Sequence, residues 1–475
     1  MNKYVWKTIY LVAATGICVL PFAGKLWTED RSKENRELQA LPTVRQEDGS
    51  VNVDFLSELG SYYEEHFAYR QSMVTAHAAA MSGMFGVSSA GGVIDGSDGW
   101  LYYMDSLNDY QGTELLSDRG IYNLAHAFRM VQDYAERSGA SFCLIPVPNK
   151  NTLYGDHMPY YYRYQVSEEH NLFRFMEELE RQDVTFVDLY HVLGEEEDIL
   201  YHKRDSHWDN RGASLASSAV FEMLGRECSE YGTYQVQKDF IGDLDTMLYP
   251  GMEQPEEEYY FDTSFTYQYQ EEIESTFDPL IVTTQEDRDG NLLMFRDSFG
   301  NALLPFIAQE FGRAKFTRAL PYRLEEIAYS GVDTVLIERA ERFLPDMARE
   351  APVFPAPLSE LRSSDLKRRE ELDSEAVCSM EEDGFYLRFS GEISSAGLDS
   401  DALIYLSLNG EQFFEATPVI SENGSDYGFT AYIEKERFEE NSFSVSVCVK
   451  QNDILTELTA FDFSYEGTAF EEDED

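Results

Sequence analysis

The sequence predicts an α/β protein: a parallel sheet with flanking helices, followed by a C-terminal all-β sandwich and preceded by an N-terminal membrane helix. Three observations lead there. Between about residues 121 and 338, short apolar runs alternate with stretches of helical period, the pattern of parallel strands joined by crossover helices. Beyond about residue 372 the period drops to two, in Phe385, Leu387 and Phe389, then Ile404, Leu406 and Leu408, then Phe443, Val445 and Val447. Asp383-Gly384, Asn409-Gly410 and Asn423-Gly424 punctuate these runs as turns, as in a sandwich of antiparallel strands. At the other end, Thr8 to Gly24 is apolar and bounded by Lys7 and Lys25. As a helix it is about 26 Å long, near the hydrocarbon thickness when the lysines snorkel.

Each element follows in order. Residues 1–28 read as the signal-anchor, and 29–85 as a stalk and a helical region with Leu56, Leu59, Tyr63, Phe67, Met73 and Val74 near one face. Residues 86–362 form the α/β domain. Gly91 to Tyr103 is glycine-rich and then aromatic, a turn and a strand. Ile121, Leu124, Phe128, Val131 and Tyr134 stripe a helix ending at Arg137. Ser141 to Val147 is a strand, Glu168 to Gln182 a helix and Val184 to Leu189 a strand. Asp209 or Asn210 caps a helix carrying Ala213, Ala216, Val220, Met223 and Leu224, closed by Gly225. Ser229 to Gly290, rich in Tyr, Glu and Asp, is a cap or a surface excursion, with Tyr267 and Tyr269 on the buried side of a hairpin strand. Leu292 to Phe295 is a strand, Ser298 to Gly312 a helix whose start Pro305 blurs, and Thr334 to Glu338 a strand. A charged linker covers Ser363 to Glu375, the sandwich 372–468 and an acidic tail 469–475.

Charge narrows the function. Lys plus Arg at 37 against Asp plus Glu at 88 gives a net charge of -51, which repels nucleic acid and excludes it as a partner. The acidic runs at Glu195–Asp198, Glu256–Glu258 and Glu471–Asp475 read as solvated faces. Cys18, Cys143, Cys228, Cys378 and Cys448 form no CxxC and no zinc spacing, so no metal or cofactor is expected. A Cys378 to Cys448 bond stays open.

Two strings carry chemistry: Asp205-Ser206-His207-Trp208 and Arg296-Asp297-Ser298-Phe299-Gly300-Asn301. Acyl transfer through serine needs a hydroxyl, an imidazole to take its proton and a carboxylate to orient the imidazole. Ser298, His207 and Asp205 can supply them. Ser298 also stands where a strand hands over to a helix, where free N–H groups can meet an oxyanion. The bland reading is an ordinary Asp-x-His in an acidic chain and an Asp-Ser helix cap. His66, His77, His126, His157, His170 and His191 lack catalytic or metal spacing, and His202 is a neighbour of His207.

The string Tyr201-His202-Lys203-Arg204-Asp205-Ser206-His207-Trp208-Asp209-Asn210-Arg211-Gly212-Ala213 resembles the signature of the DHHW family, with Ser206 where that name has its first histidine. That family is similar to the SGNH-hydrolase-like alginate O-acetyltransferases. Further matching blocks follow in order: Glu34 to Leu38, His66 to Arg70, Asp98 to Tyr102, Pro148 to Tyr154 with Pro159, Gly242 to Leu244, and Arg296 to Phe306. The resemblance covers about residues 30 to 345.

The resemblance implies an SGNH-hydrolase-like domain tethered to the cell membrane by a single helix, with its main body extracytoplasmic. It implies acetyl transfer on a cell-surface or exported polysaccharide, with Ser298 as nucleophile, His207 as base and Asp205 orienting it, and a membrane-bound O-acyltransferase as acetyl donor. The positive charges at Lys3 and Lys7 are offset by Lys25, Arg31 and Lys33, so the outside placement comes from the resemblance alone. Further pocket candidates are Asn149 as an oxyanion donor, Lys150 or Tyr154 on an acceptor sugar hydroxyl, and Trp208 on a sugar face. Arg296 and Asn301 flank the nucleophile. Their bland readings are a capped loop and core packing. Ordinary SGNH hydrolases carry the serine early, and many relatives have glycine where this chain has Arg296. Two other readings stay open, a polysaccharide acetylesterase and a non-catalytic glycan-binding or assembly protein.

Overall fold

The computed structural model describes residues 3–24, 39–46, 49–366, 375–394 and 397–465. The block Glu34 to Leu38, most of the stalk, much of the charged linker and the acidic tail lie outside the described residues.

Six strands form the central sheet: β1 (Ser141–Val147), β2 (Gln268–Tyr269), β3 (Leu280–Thr284), β4 (Asn291–Phe295), β5 (Arg313–Thr317) and β6 (Thr334–Ala340). Their order is β1-β6-β4-β5-β3-β2. The first four are parallel, and β3 and β2 complete the edge antiparallel. Because alternate residues of a strand face opposite sides, β4 serves two cores. Leu293 and Phe295 pack with Leu124, Phe128, Phe175 and Leu179 of the helices Asp118–Arg137 and Asn171–Arg181. Leu292 and Met294 pack on the other face with Ala216, Val220, Leu303 and Ile307 of the helices Asn210–Met223 and Gly300–Ala308. Such a sheet, buried on both faces, is why these strands read as continuous apolar runs.

Several expectations change. The strand expected at Val184 to Leu189 is reduced to one parallel bridge, Leu144 to Phe186. Asp188 accepts a hydrogen bond from His191 N at 3.0 Å and starts the helix Leu189–Gly194 there instead. The single helical region at 55–85 breaks into Phe55–His66 and Arg70–Phe85, with Tyr69 at φ 63° between them. The buried residues of these two helices are Thr75 and Ala78, whereas Leu56 and Met73 are exposed. Tyr267 packs against the core, but Tyr269 is exposed, because β2 is a two-residue edge strand.

The excursion after Ser229 is ordered. Strands Tyr234–Phe240 and Glu256–Phe261 pair antiparallel, and the short helix Asp243–Leu248 lies between them in sequence. That helix packs with the hairpin Val93–Asp95 and Leu101–Tyr103 around Leu244 and Leu248.

The C-terminal strands form a five-stranded and a four-stranded sheet sharing a core of Leu387, Phe389, Ile404, Leu406, Val445 and Val447. Asn409 and Gly410 turn with φ of 50° and 73°, the two positive angles a two-residue hairpin needs. Cys378 and Cys448 lie in different sheets, and both are free thiols. At the N-terminus Lys3–Gly24 is helical, but among the described residues no helix is long and apolar enough to cross a membrane.

Candidate active site

The loop that carries His207 is closed at its base by an antiparallel bridge between Tyr201 and Trp208. Asp209 then starts the next helix, its carboxylate accepting from Arg211 N at 2.8 Å and Gly212 N at 3.0 Å. Inside the loop the carbonyls of His202, Lys203 and Asp205 converge, and the buried Lys150 ammonium donates to all three, at 3.0 Å to the first two. Burial pushes the Lys150 pKa down to about 8, against the pull of the Asp205 charge. Lys150 therefore shapes the loop from beneath, where it cannot meet an acceptor sugar.

Within that frame Asp205, His207 and Ser298 connect. Asp205 Oδ1 lies 2.7 Å from His207 Nδ1 and also accepts from His207 N at 2.8 Å. With Nδ1–H committed to Asp205, Nε2 is the free lone pair, and Ser298 Oγ lies 2.8 Å from it. Oδ2 of Asp205 accepts from Asp243 N at 2.7 Å. Asp243 in turn accepts from Ser206 N at 2.8 Å and Ser206 Oγ at 2.6 Å. Ser206, the departure from the family signature, thus ties the loop to Asp243.

The turn that carries Ser298 is held from the neighbouring strand. Asp297 is buried, its Oδ1 accepting from Phe299 N at 2.8 Å and its Oδ2 from Ala340 N at 2.9 Å. Asp297 N donates to Glu338 Oε2 at 3.0 Å. Burial and the Asp297 charge push the Glu338 pKa far up, while Arg342 helps hold Asp297 down against burial. Gly300 permits this approach, since a Cβ there would lie 2.7 Å from Arg296 Cβ. A second buried acid pair lies behind Asn149. Burial raises Asp109 to about 8 and Glu341 to about 7.

The remaining sequence candidates fall elsewhere. Asn149 is buried, donating through N to Glu341 and through Nδ2 to Asp109 Oδ2 at 3.2 Å. Tyr154 accepts from Leu200 N at 3.1 Å through its hydroxyl. Trp208 is 2% exposed and packs edge-on to Phe299, so it offers no face to a sugar. Arg296 is buried and donates to Asn301 Oδ1, Thr276 O and Asp278 O, which takes both Arg296 and Asn301 into scaffolding. Sequence reasoning missed Asp243, Glu338, Glu341 and Arg342. The one signal for Asp243 was its Gly242-Asp243-Leu244 block.

His207 Nδ1, Asp205 and Asp243 also offer three ligand atoms within 4.8 Å of one another. An ion there would have to displace the Asp205 bond to His207 and the Ser206 bond to Asp243. A cleft of about 800 Å³ opens on the other side of the loop, lined by Lys203, Arg204, Lys238, Glu256 and Tyr259 among others. Neither His207 nor Ser298 is part of its wall.

Two predictions arise here. Burial opposes the imidazolium of His207, but the charge and hydrogen bond of Asp205 outweigh it and raise the pKa above 6.5. Burial likewise opposes the Asp205 charge, yet His207 and the Asp243 N–H hold its pKa below the usual 3.8. A His207 that acts as general base works in its neutral form, and turnover of a chromogenic acetyl ester should then rise with pH through a point above 6.5. A profile flat from about pH 5 to 9 contradicts that role. By linkage, His207 adds stability present in full below its unfolded pKa and lost as pH rises through its folded one. Asp205 adds stability present above its unfolded pKa and lost as pH falls through its folded one. The second concerns Gly242, where a Cβ would overlap the Arg204 carbonyl and lie 2.9 Å from Asp205 N. Gly242→Ala should cost a few kcal/mol in thermal unfolding and push Asp205 off His207. Wild-type melting and turnover would show the segment can shift freely.

A family model for the SGNH hydrolase-like domain of acetyltransferase AlgX matches residues 93–280. The span holds Asp205, His207 and Asp243 and ends before Ser298. Among solved structures, a DHHW family protein from Eubacterium siraeum is 18% identical, with 53% of this chain and 91% of that chain covered and a TM-score of 0.40. The O-acetyltransferase domain of Pseudomonas putida AlgJ is 19% identical, with coverages of 54% and 92% and a TM-score of 0.38. Bacillus cereus PatB1 is 16% identical, with coverages of 53% and 96% and a TM-score of 0.43. No curated protein sequence matches the chain. Residues 93–280 thus resemble the SGNH hydrolase-like domain of an acetyltransferase.

Proposed function

We propose that this protein is an O-acetyltransferase of a cell-surface or exported polysaccharide, working through an acetyl group on Ser298. The observation that carries the reading is the unbroken run of hydrogen bonds from Asp205 through His207 to the half-exposed Ser298 Oγ, set in a chain whose 93–280 matches an acetyltransferase domain. His207 Nε2 takes the Ser298 proton as Oγ attacks the donor carbonyl, and Asp205 steadies the imidazolium that results. The imidazolium gives that proton to the donor's leaving group as its bond to the acyl carbon breaks. A sugar hydroxyl then gives its own proton to the neutral His207 and takes the acetyl group, and Ser298 Oγ regains a proton from the imidazolium. An acetylesterase uses the same residues with water as acceptor.

The test is a mass increment of one acetyl on the peptide holding Ser298 after exposure to a chromogenic acetyl ester. Added glycan that diverts acetyl from water identifies a transferase, and glycan without effect an esterase. An unmodified Ser298 with glycan still bound favours the non-catalytic reading.

Anchoring and the extracytoplasmic location belong to the same proposal, with a membrane-bound O-acyltransferase supplying acetyl. Support for an anchor is the helix Lys3–Gly24, which leaves Trp6, Ile9, Tyr10, Leu11 and Val12 exposed. Full-length protein should sediment with membranes after alkaline extraction, and release into the supernatant would sink the anchor.

A further inference from the structure

Two of the donor groups that a developing oxyanion could use already make hydrogen bonds. Asn149 Nδ2 points to Asp109, and Phe299 N donates to Asp297. Acyl transfer nonetheless needs a group aimed at the oxygen on which charge develops.

Arg342 stands just beyond β6, the strand paired with β4 through Ile337 and Phe295. The Ala340 N–H pins its turn to Asp297, next to Ser298. The guanidinium carbon lies 5.6 Å from the centre of the Phe299 ring, and that ring lies 4.8 Å from the His207 ring. Tyr103 and Phe343 flank the same guanidinium at 5.5 Å and 4.8 Å. Among the described residues no carboxylate or carbonyl accepts a hydrogen bond from Arg342, and its Nε is buried without a partner. Arg296, on the other side of the nucleophile's turn, has its donors taken by Asn301, Thr276 and Asp278. The charge of Arg342 already helps hold Asp297 down, but a guanidinium held by aromatic faces beside Ser298, with its N–H donors unspent, can still take a hydrogen-bond acceptor that arrives with the substrate.

We propose that Arg342 is a catalytic residue that donates to the acyl oxygen at Ser298. The inference rests on the acetyl-Ser298 reading. In the step, Ser298 Oγ bonds to the acyl carbon, its proton passes to His207 Nε2, and the carbonyl π pair moves onto the oxygen, which becomes the anion Arg342 meets. As the bond to the leaving alcohol breaks, that pair returns to the carbonyl and the alcohol oxygen takes the proton from His207. The donor is an ester neutral in its ground state, so the contact strengthens only as charge develops.

Single-turnover acylation by p-nitrophenyl acetate, which is neutral and carries no sugar, tests the assignment in wild type, Arg342→Gln and Arg342→Lys, with melting curves alongside. Arg342→Gln should slow acylation and deacylation by about 10²–10³-fold with little change in KM. Arg342→Lys should recover part of the loss through its charge. In Arg342→Gln the pH limb of His207 should move up, because the nearby cation opposes its protonation. A glutamine variant that acylates at the wild-type rate overturns the proposal. If it also loses transfer to a uronate acceptor, Arg342 belongs to acceptor binding instead. A variant that melts early, with lysine failing to restore the rate, reduces Arg342 to structure and overturns it too. A wild-type protein that never takes acetyl fails the acyl-transfer reading itself, and Arg342 falls with it.

Discussion

Alanine at Ser298 is expected to abolish acyl transfer, with kcat falling by roughly 10⁴–10⁶-fold while melting stays near wild type. The side chain makes one hydrogen bond, to His207 Nε2, and is half-exposed, so its loss removes little packing and one contact of the imidazole. What disappears is the covalent route. The measurement is the burst from a chromogenic acetyl ester, with the acetyl content of the surface glycan compared in wild-type and Ser298→Ala cells. Undiminished turnover in the variant would mean that the ester is cleaved elsewhere and that Ser298 has no covalent role. Loss of glycan acetylation together with loss of the burst ties the chemistry to the cell surface.

Asp205→Asn is expected to cost about 10⁴-fold in kcat, roughly 5.5 kcal/mol of transition-state stabilisation, and to lower stability as well. Both carboxylate oxygens are in use. Oδ1 faces two N–H groups of His207, and Oδ2 faces the Asp243 N–H. An asparagine has one acceptor end, so either orientation sets an amide N–H against a backbone or imidazole donor. With the amide group turned toward Nδ1, the imidazole must present its lone pair there and carry its proton on Nε2, where it cannot take one from Ser298. The apparent pKa of His207 should also fall, since the charge that holds it up is gone. The rival orienter is Asp243, with Oδ2 3.8 Å from His207 Nδ1. If Asp205→Asn retains activity within about tenfold of wild type while Asp243→Asn does not, the two carboxylates exchange roles.

Asp205, His207 and Ser298, which the fold brings within hydrogen-bond reach of one another, could be singled out because each sits where local pattern is strongest. His207 precedes a well-capped helix, and Ser298 follows an apolar strand. The sheet was legible for the same reason, through runs buried on both faces. Asp243 was not, because nothing within its own helix distinguishes it. Its role comes from a tertiary contact across the excursion, where Gly242 lets the chain approach the Arg204 carbonyl. Lys150 was read by its exposed-lysine chemistry, but three converging carbonyls decide its place. Trp208 and Arg296 stand close to His207 and Ser298 in sequence, yet in a strand-end turn successive side chains diverge and theirs point into packing. Glu338 and Arg342 were hidden because charges at the end of an apolar strand look like its exit to solvent. Here the same strand end is the wall of the site.

The seam between the α/β body and the C-terminal sheets has a mechanical meaning. Arg119 of the helix Asp118–Arg137 is buried and donates to the carbonyls of Ser400 and Ala402 at 2.9 Å and 2.7 Å, while Asn123 Nδ2 donates to Asp426 O at 2.6 Å. Ile420 lies inside the core that flanks the central sheet, and His126 reaches Glu415 at 2.8 Å. These contacts fix the C-terminal sheets against the α/β body directly. Anything carried on the sandwich keeps a constant bearing and separation from Ser298, set by the fold as in a jig rather than by the statistics of a tether.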